Sequence, residues 1–330
     1  MDGADLVNGE TMANARGDGQ DGGREGRLRR AVAIGVLVAL ATMGAGCANR
    51  YGELDLTMYE YRDTRNLVKF VYDAAYILNQ EGMDALSRFQ ARRKEYRTED
   101  YYLYVYDSDG TNLFHAGMEE LEGQNLWDVT DKDGKPVFQQ VIEALENQSN
   151  PHAWVHYSWW EPERFYPVPK SSCHFRIETP EADVLIVGGG LNYPHEEPEF
   201  IRIVVDDAVR LIEEEGDAAL DEIADPTSEY SYRDVRVFVF RPDGEMLISA
   251  AINSTFSQTN LLECVDEVGQ RPFVQALDAL ESEESIWEAF MATAPYQRQL
   301  IRKSLYIRKT SLIGDEIYVA AITDLPEPPY

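Results

Sequence analysis

Apolar side chains recur at three- and four-residue steps through Leu67, Phe70, Val71, Ala74, Ala75 and Leu78, and again beyond Gly82 at Met83, Leu86 and Phe89. That spacing predicts an amphipathic helix. From Tyr102 the period falls to two: Tyr102, Tyr104 and Tyr106 take one parity, Leu103 and Val105 the other, as in a strand. Asp109-Gly110 supplies a turn in which glycine takes positive φ, so a second antiparallel strand follows. PVFQQVIEALEN (136–147) reads as a short helix, with proline at its start, where a missing N–H costs least. Alternating stretches at 152–160, 172–177 and 184–190 complete the set as strands.

The same series is then written again. Phe200, Ile203, Val204, Ala208, Leu211 and Ile212 mark one helical face, and VFVFRPDGEMLISAA from Val237 repeats LYVYDSDGTNLFHAG of 103–117. Gly216 and Gly244 follow Gly82 and Gly110 at the same interval of 134 residues. PFVQALDALES (272–282) and strands at 286–292, 303–309 and 316–323 follow in order. Helix, hairpin, short helix and three strands make an α+β unit with a central antiparallel sheet of roughly five strands covered on one side by the long helix. The period is too long for a solenoid, so the chain reads as two tandem domains, 51–195 and 196–330, joined through the two prolines at 194 and 198.

Residues 1–46 stand apart. RLRR at 27–30 precedes Ala31 to Gly46, sixteen residues without a charge, then Cys47. A helix of that length rises only about 24 Å against a bilayer core of roughly 30 Å, which suits an export signal better than a permanent span. The stretch resembles a bacterial lipoprotein signal, which implies Cys47 as the lipidated first residue of the mature protein. It lacks the leucine usual three positions before the cysteine, so an uncleaved signal anchor and a cytoplasmic protein with an apolar leader stay open. The lipoprotein reading places the protein in the cell envelope, on the periplasmic side of a membrane.

Charge narrows the partners. The chain carries 30 basic and 59 acidic residues, a formal net charge of −29, which disfavours nucleic acid and anionic lipid surfaces. Cys173 and Cys264 either pair after export or remain buried thiols. Asp128, Asp131 and Asp133 before Gly134 resemble a calcium loop only loosely, because its remaining ligands are missing. VGGG at 187–190 lacks dinucleotide-loop spacing, and no serine sits in a GxSxG setting. No metal, no cofactor and no enzymatic activity are expected.

The runs YLYVYDSDGTNLFHAG, LEGQNLWDVTDKDGKPVFQQVI, WVHYSWWEP, Pro169-Lys170 and VGGGL make residues 60–193 resemble a single Cache domain. These are PAS-like folds of bacterial extracytoplasmic sensors. The resemblance implies a pocket for a small molecule, a small carboxylate above all. Onto this chain it places Lys170, Tyr157 and Trp159, with His115 and Trp127 nearby. The second unit (199–325) is more diverged, with Lys303 and Tyr306 as its candidates; the family's tyrosine three residues after the lysine is Tyr306 there but Cys173 in the first unit.

Chemistry supports these choices without fixing them. Lys170 either receives a carboxylate by charge-assisted hydrogen bonds or lies solvated at a loop edge. Tyr157 and Trp159 share one side of their strand, as pocket floor or as core. His115 is a ligand donor or a structural histidine, and Trp127 an edge cover. The expectation is a lipid-anchored small-molecule sensor or binding protein acting through a membrane-protein signalling partner, since no span or kinase follows the last strand. The alternative is a structural or interaction lipoprotein whose units no longer bind ligand.

Overall fold

The computed structural model describes residues 54–160, 166–233, 235–248, 260–293 and 299–324; the leader and Cys47 lie outside them, as do Ala250 and Ala251. The first lobe opens with α1 (Arg62–Ala91), whose pattern buries Leu67, Val71, Ala74, Ala75, Leu78 and Phe89. Strands β1 (Tyr101–Asp107), β2 (Asn112–His115), β3 (Val155–Trp160), β4 (Pro167–Glu178) and β5 (Val184–Asn192) form one antiparallel sheet in the order β2-β1-β5-β4-β3. The short helix α2 (Val137–Glu146) lies between β2 and β3 in sequence. Helix α1 packs on β4 and β5, and α2 on β3 and β4.

The second lobe repeats this plan. Helix α3 (Pro198–Glu215) and α4 (Ala218–Ala224) precede β6 (Ser231–Tyr232), β7 (Val235–Phe240) and β8 (Met246–Ile248), then α5 (Pro272–Leu280), β9 (Ser285–Thr293), β10 (Leu300–Leu312) and β11 (Asp315–Asp324). The sheet runs β6-β7-β11-β10-β9, with β8 also on β7, and α3 lies on β10 and β11. Both expected hairpins are present, β1 with β2 and β7 with β8. Gly82 and Gly216 serve one purpose in two forms, both at positive φ: the first kinks α1, the second ends α3 and lets α4 begin.

Local braces are duplicated with the sheets. Asn125 donates to the Asp109 carbonyl and accepts from Trp127 N–H; Asn260 does the same with Asp243 and Leu262. Asp131 accepts from the backbone of Asp133, Lys135 and, across to β3, Ser158. Asp266 repeats this with Val268, Gln270 and Met291 of β9. The acidic run around Asp131 therefore holds a loop to the sheet edge, and the described residues contain no group of three or more His, Cys, Asp or Glu able to hold a metal ion. Cys173 and Cys264 are buried free thiols, which settles the disulfide question.

The joint between the lobes is tied from both sides. Fully buried Glu197 is the N-cap residue of α3, and its carboxylate accepts the N–H groups of Glu60 and Tyr61 just ahead of α1, each at 2.9 Å. Glu196 meets Thr323 and Arg233 of the second lobe. Phe200 of α3 packs its ring on Trp154 at 4.6 Å and His156 at 4.8 Å. Among the described residues no helix is long and apolar enough to cross a membrane.

Candidate functional site

The three β1 tyrosines that established the strand's parity also face a cavity. Its main chamber is lined by Tyr104, Tyr106, Tyr157, Trp159, His174 and an apolar wall of Leu126, Val129, Val137, Phe138 and Val141. A second chamber shares four of these aromatic residues and adds Tyr102 and His115. One end is thus hydroxyl- and imidazole-rich, the other aliphatic.

Glycines in β5 make the room. A Cβ at Gly188 would stand 2.3 Å from the Tyr104 ring and 2.6 Å from His174. One at Gly190 would stand 2.4 Å from Lys170 Cε, so its absence lets the lysine stem cross β5 towards β1. Lys170 is only 1% exposed, and its Nζ lies 3.4 Å from the centre of the Tyr102 ring. The solvated loop-edge position is therefore replaced by a buried cation stacked on a ring that borders the cavity.

Hydrogen bonds fix the imidazoles. His174 Nδ1 donates to the Ala153 carbonyl at 2.8 Å, which leaves Nε2 to accept from Tyr104 O–H at 3.0 Å. The Tyr157 hydroxyl is 3.5 Å from that of Tyr104. His115 Nδ1 accepts from Met118 N–H at 2.8 Å, so its proton sits on Nε2. Burial, helped by the nearby Lys170 and Arg93 cations, holds His115 well below the usual imidazole range; burial brings His174 to about 4. Each depressed histidine costs stability as pH falls from about 6.5, because the unfolded chain takes up the proton first. Nitrogen-15 NMR at pH 5.5 should accordingly find both rings neutral, His174 protonated at Nδ1 and His115 at Nε2; an imidazolium signal from either would overturn the assignment.

Of the residues singled out from sequence, Tyr157, Trp159 and His115 line the cavity, and Lys170 lies behind Tyr102. Trp127 packs on Phe138 at 5.8 Å, beside the lining. Tyr102, Tyr104, Tyr106 and His174 escaped sequence reasoning as site residues; their shared strand parity and the glycines opposite them were the available signal.

Strand register allows the lobes to be compared place by place. Tyr104 pairs with Gly188 and that with His174, whereas Phe238 pairs with Ala320 and that with Ile307. Tyr157 lies opposite Lys170, and Phe290 opposite Lys303. The polar lining thus becomes Phe238, Phe240, Phe290 and Ile307, which pack with Leu261, Phe273 and Leu305 into a continuous apolar core. Lys303 pairs with Asp324 at 2.6 Å, at the register position where Lys170 meets Asn192, and Tyr306 donates to Asp206 at 3.2 Å.

The sensor histidine kinase MctS of Rhizobium johnstonii is 34% identical over 64 residues, 19% of this chain and 13% of the kinase, so the match spans a small part of that relative. Similar solved structures include a periplasmic sensor domain of a chemotaxis protein, at 24% identity and TM-score 0.33, covering 40% of this chain and 94% of that one. Another is described as the structural basis for carboxylic acid recognition by a Cache chemosensory domain, at 21% identity and TM-score 0.32, covering 40% and 94%. The ligand-binding domain of the Pseudomonas aeruginosa PAO1 amino acid chemoreceptor PctB, in complex with L-Arg, is 10% identical with TM-score 0.29, covering 79% and 87%. The Cache domain family model, of the type dCache_2, matches residues 66–312. With that match over most of its length, the chain belongs to the Cache domain family of extracytoplasmic, non-enzymatic sensor domains.

Proposed function

We propose that the first lobe is the ligand-binding half of a tandem Cache sensor divided near residue 195, and that it takes a small organic carboxylate. The observation that carries this reading is the polarity of the cavity. The Lys170 ammonium behind Tyr102, the Nε2–H of His115 and the Tyr157 hydroxyl gather at the polar end, and no aspartate or glutamate is among the described lining residues. A buried cation raises the potential where a carboxylate would sit, and the apolar wall suits a short carbon tail. An α-ammonium group would find no counter-charge there.

The second lobe supports a structural role for itself, because apolar side chains occupy the equivalent space. The protein's place on the periplasmic side, its lipid anchor at Cys47 and its action through a membrane-protein partner belong to the same proposal. Their support is the leader's sequence and the family's sensing role.

Titration calorimetry on the folded protein tests the site with sodium butyrate, sodium benzoate and 2-aminobutyrate. Butyrate or benzoate should bind and the amino acid should not. Lys170→Met should weaken binding about 10- to 100-fold, the loss of a charge-assisted interaction, while Lys303→Met should leave it unchanged. Equal affinity in the parent and both variants would remove Lys170 from the site.

A further inference from the structure

We propose that α2 relays occupancy of the cavity to the second lobe, with Lys135 as its fixed point. The inference rests on reading the first-lobe cavity as the ligand site. Helix α2 gives one face to the cavity through Val137, Phe138 and Val141. Its other side reaches across the joint: Gln140 Nε2 donates to the Thr227 carbonyl at 3.3 Å. Glu143, one turn further, faces Glu229, whose carboxyl is raised to about 8 by burial and by that neighbouring charge.

Lys135, two residues before Val137, is 5% exposed. Its Nζ donates to the His156 carbonyl in β3 at 3.1 Å and to the Ser231 carbonyl in β6. His156 and Ser158 alternate along β3 with Tyr157 and Trp159, which line the cavity. Asp131 holds Lys135 N–H and Ser158 N–H together. A displacement of the cavity's β3 wall or of α2 therefore pulls on an ammonium whose other bond ends in the second lobe. Ser231 pairs with Arg236 at the start of β7, and β7 pairs with β11 inside the second sheet.

The internal duplication shows that the loop does not need the lysine. Asp266 makes the same three backbone contacts as Asp131, yet Gln270 stands where Lys135 does. The counterpart of Gln140 is Gln275, and it bonds to Gln270 at 3.1 Å within its own loop. Two side chains that close locally in one lobe thus cross to the neighbour in the other. A buried ammonium is costly unless its donors are met, and here backbone carbonyls of two separate strands meet them; burial lowers Lys135 to about 8, against the raising effect of Asp131.

A double-mutant cycle read by amide hydrogen exchange on the full chain tests the relay, using the parent, Val137→Ala, Lys135→Gln and the double variant. Val137→Ala should speed exchange at 231–240 about fivefold in the parent, and less than twofold in the Lys135→Gln background, with 285–293 as the internal reference. Equal acceleration in both backgrounds, no effect at 231–240, or a uniform additive rise that includes 285–293 would each overturn the relay. The butyrate calorimetry separates the two readings: binding with an additive cycle keeps the site and removes the relay, whereas a non-additive cycle without binding by any carboxylate keeps the coupling and removes the site.

Discussion

Gly189→Ala should destabilise the protein by about 3 kcal/mol, the upper end of what overpacking a core costs, and lower the melting temperature by roughly 6–10 °C. The reason lies on the face of β5 turned away from the cavity. A Cβ at this position would stand 2.7 Å from Val71 Cγ2 and 3.3 Å from Leu67 Cδ1, both on the buried face of α1, and 3.1 Å from the Tyr102 carbonyl. The carbonyl belongs to a paired strand and cannot retreat, so the helix must lift or the strand must shift. Gly188→Ala, one residue earlier, points the other way and strikes Tyr104 and His174. There the tyrosine can swing into the cavity, so binding should be lost with a smaller loss of stability. The second lobe carries Ala320 and Ala321 at these places, with Phe238 and Ile307 in place of the tyrosine and histidine. Differential scanning calorimetry beside butyrate titration separates the two outcomes. A Gly189→Ala protein melting within 1 °C of the parent would show that α1 does not need this contact.

The fold was legible because its patterns are local and written twice. Helical spacing at Leu67 to Phe89, alternation at Tyr102 to Tyr106 and the Asp-Gly turns each specify an element without distant information, and repetition confirmed their order. The site was legible only where family resemblance pointed. Tyr157, Trp159 and His115 were reached that way, whereas Tyr102, Tyr104 and Tyr106 read as a well-formed strand because parity says which side chains share a face and not what that face meets. VGGG lacks the spacing of a dinucleotide loop; its meaning lies in what crosses it, the Lys170 stem on one face and α1 on the other. Lys135 gave no signal at all, since its two acceptors, His156 and Ser231, are 21 and 96 residues away in sequence.

Glu197→Ala should cost about 2 kcal/mol, because it leaves two partly buried backbone N–H groups, those of Glu60 and Tyr61, without their acceptor. The carboxylate also lies at the start of α1, where the helix dipole favours negative charge, so charge and hydrogen bonding are lost together. Burial raises the Glu197 carboxyl above its ordinary range, the backbone N–H groups opposing that shift, which marks a group retained despite its desolvation. Because Glu197 is also the N-cap residue of α3, one residue ties the entry of α1 to the start of α3. Glu197→Gln keeps one acceptor oxygen but turns an amide N–H towards a donor, so it should recover less than half of the loss. Urea unfolding followed by fluorine NMR of 5-fluorotryptophan-labelled protein provides the measurement, since Trp154 packs on Phe200 beside this joint and Trp287 reports from the second lobe. Both signals should shift to lower urea together if Glu197 binds the lobes into one cooperative unit; a shift confined to the Trp154 signal would reduce it to a cap for α1.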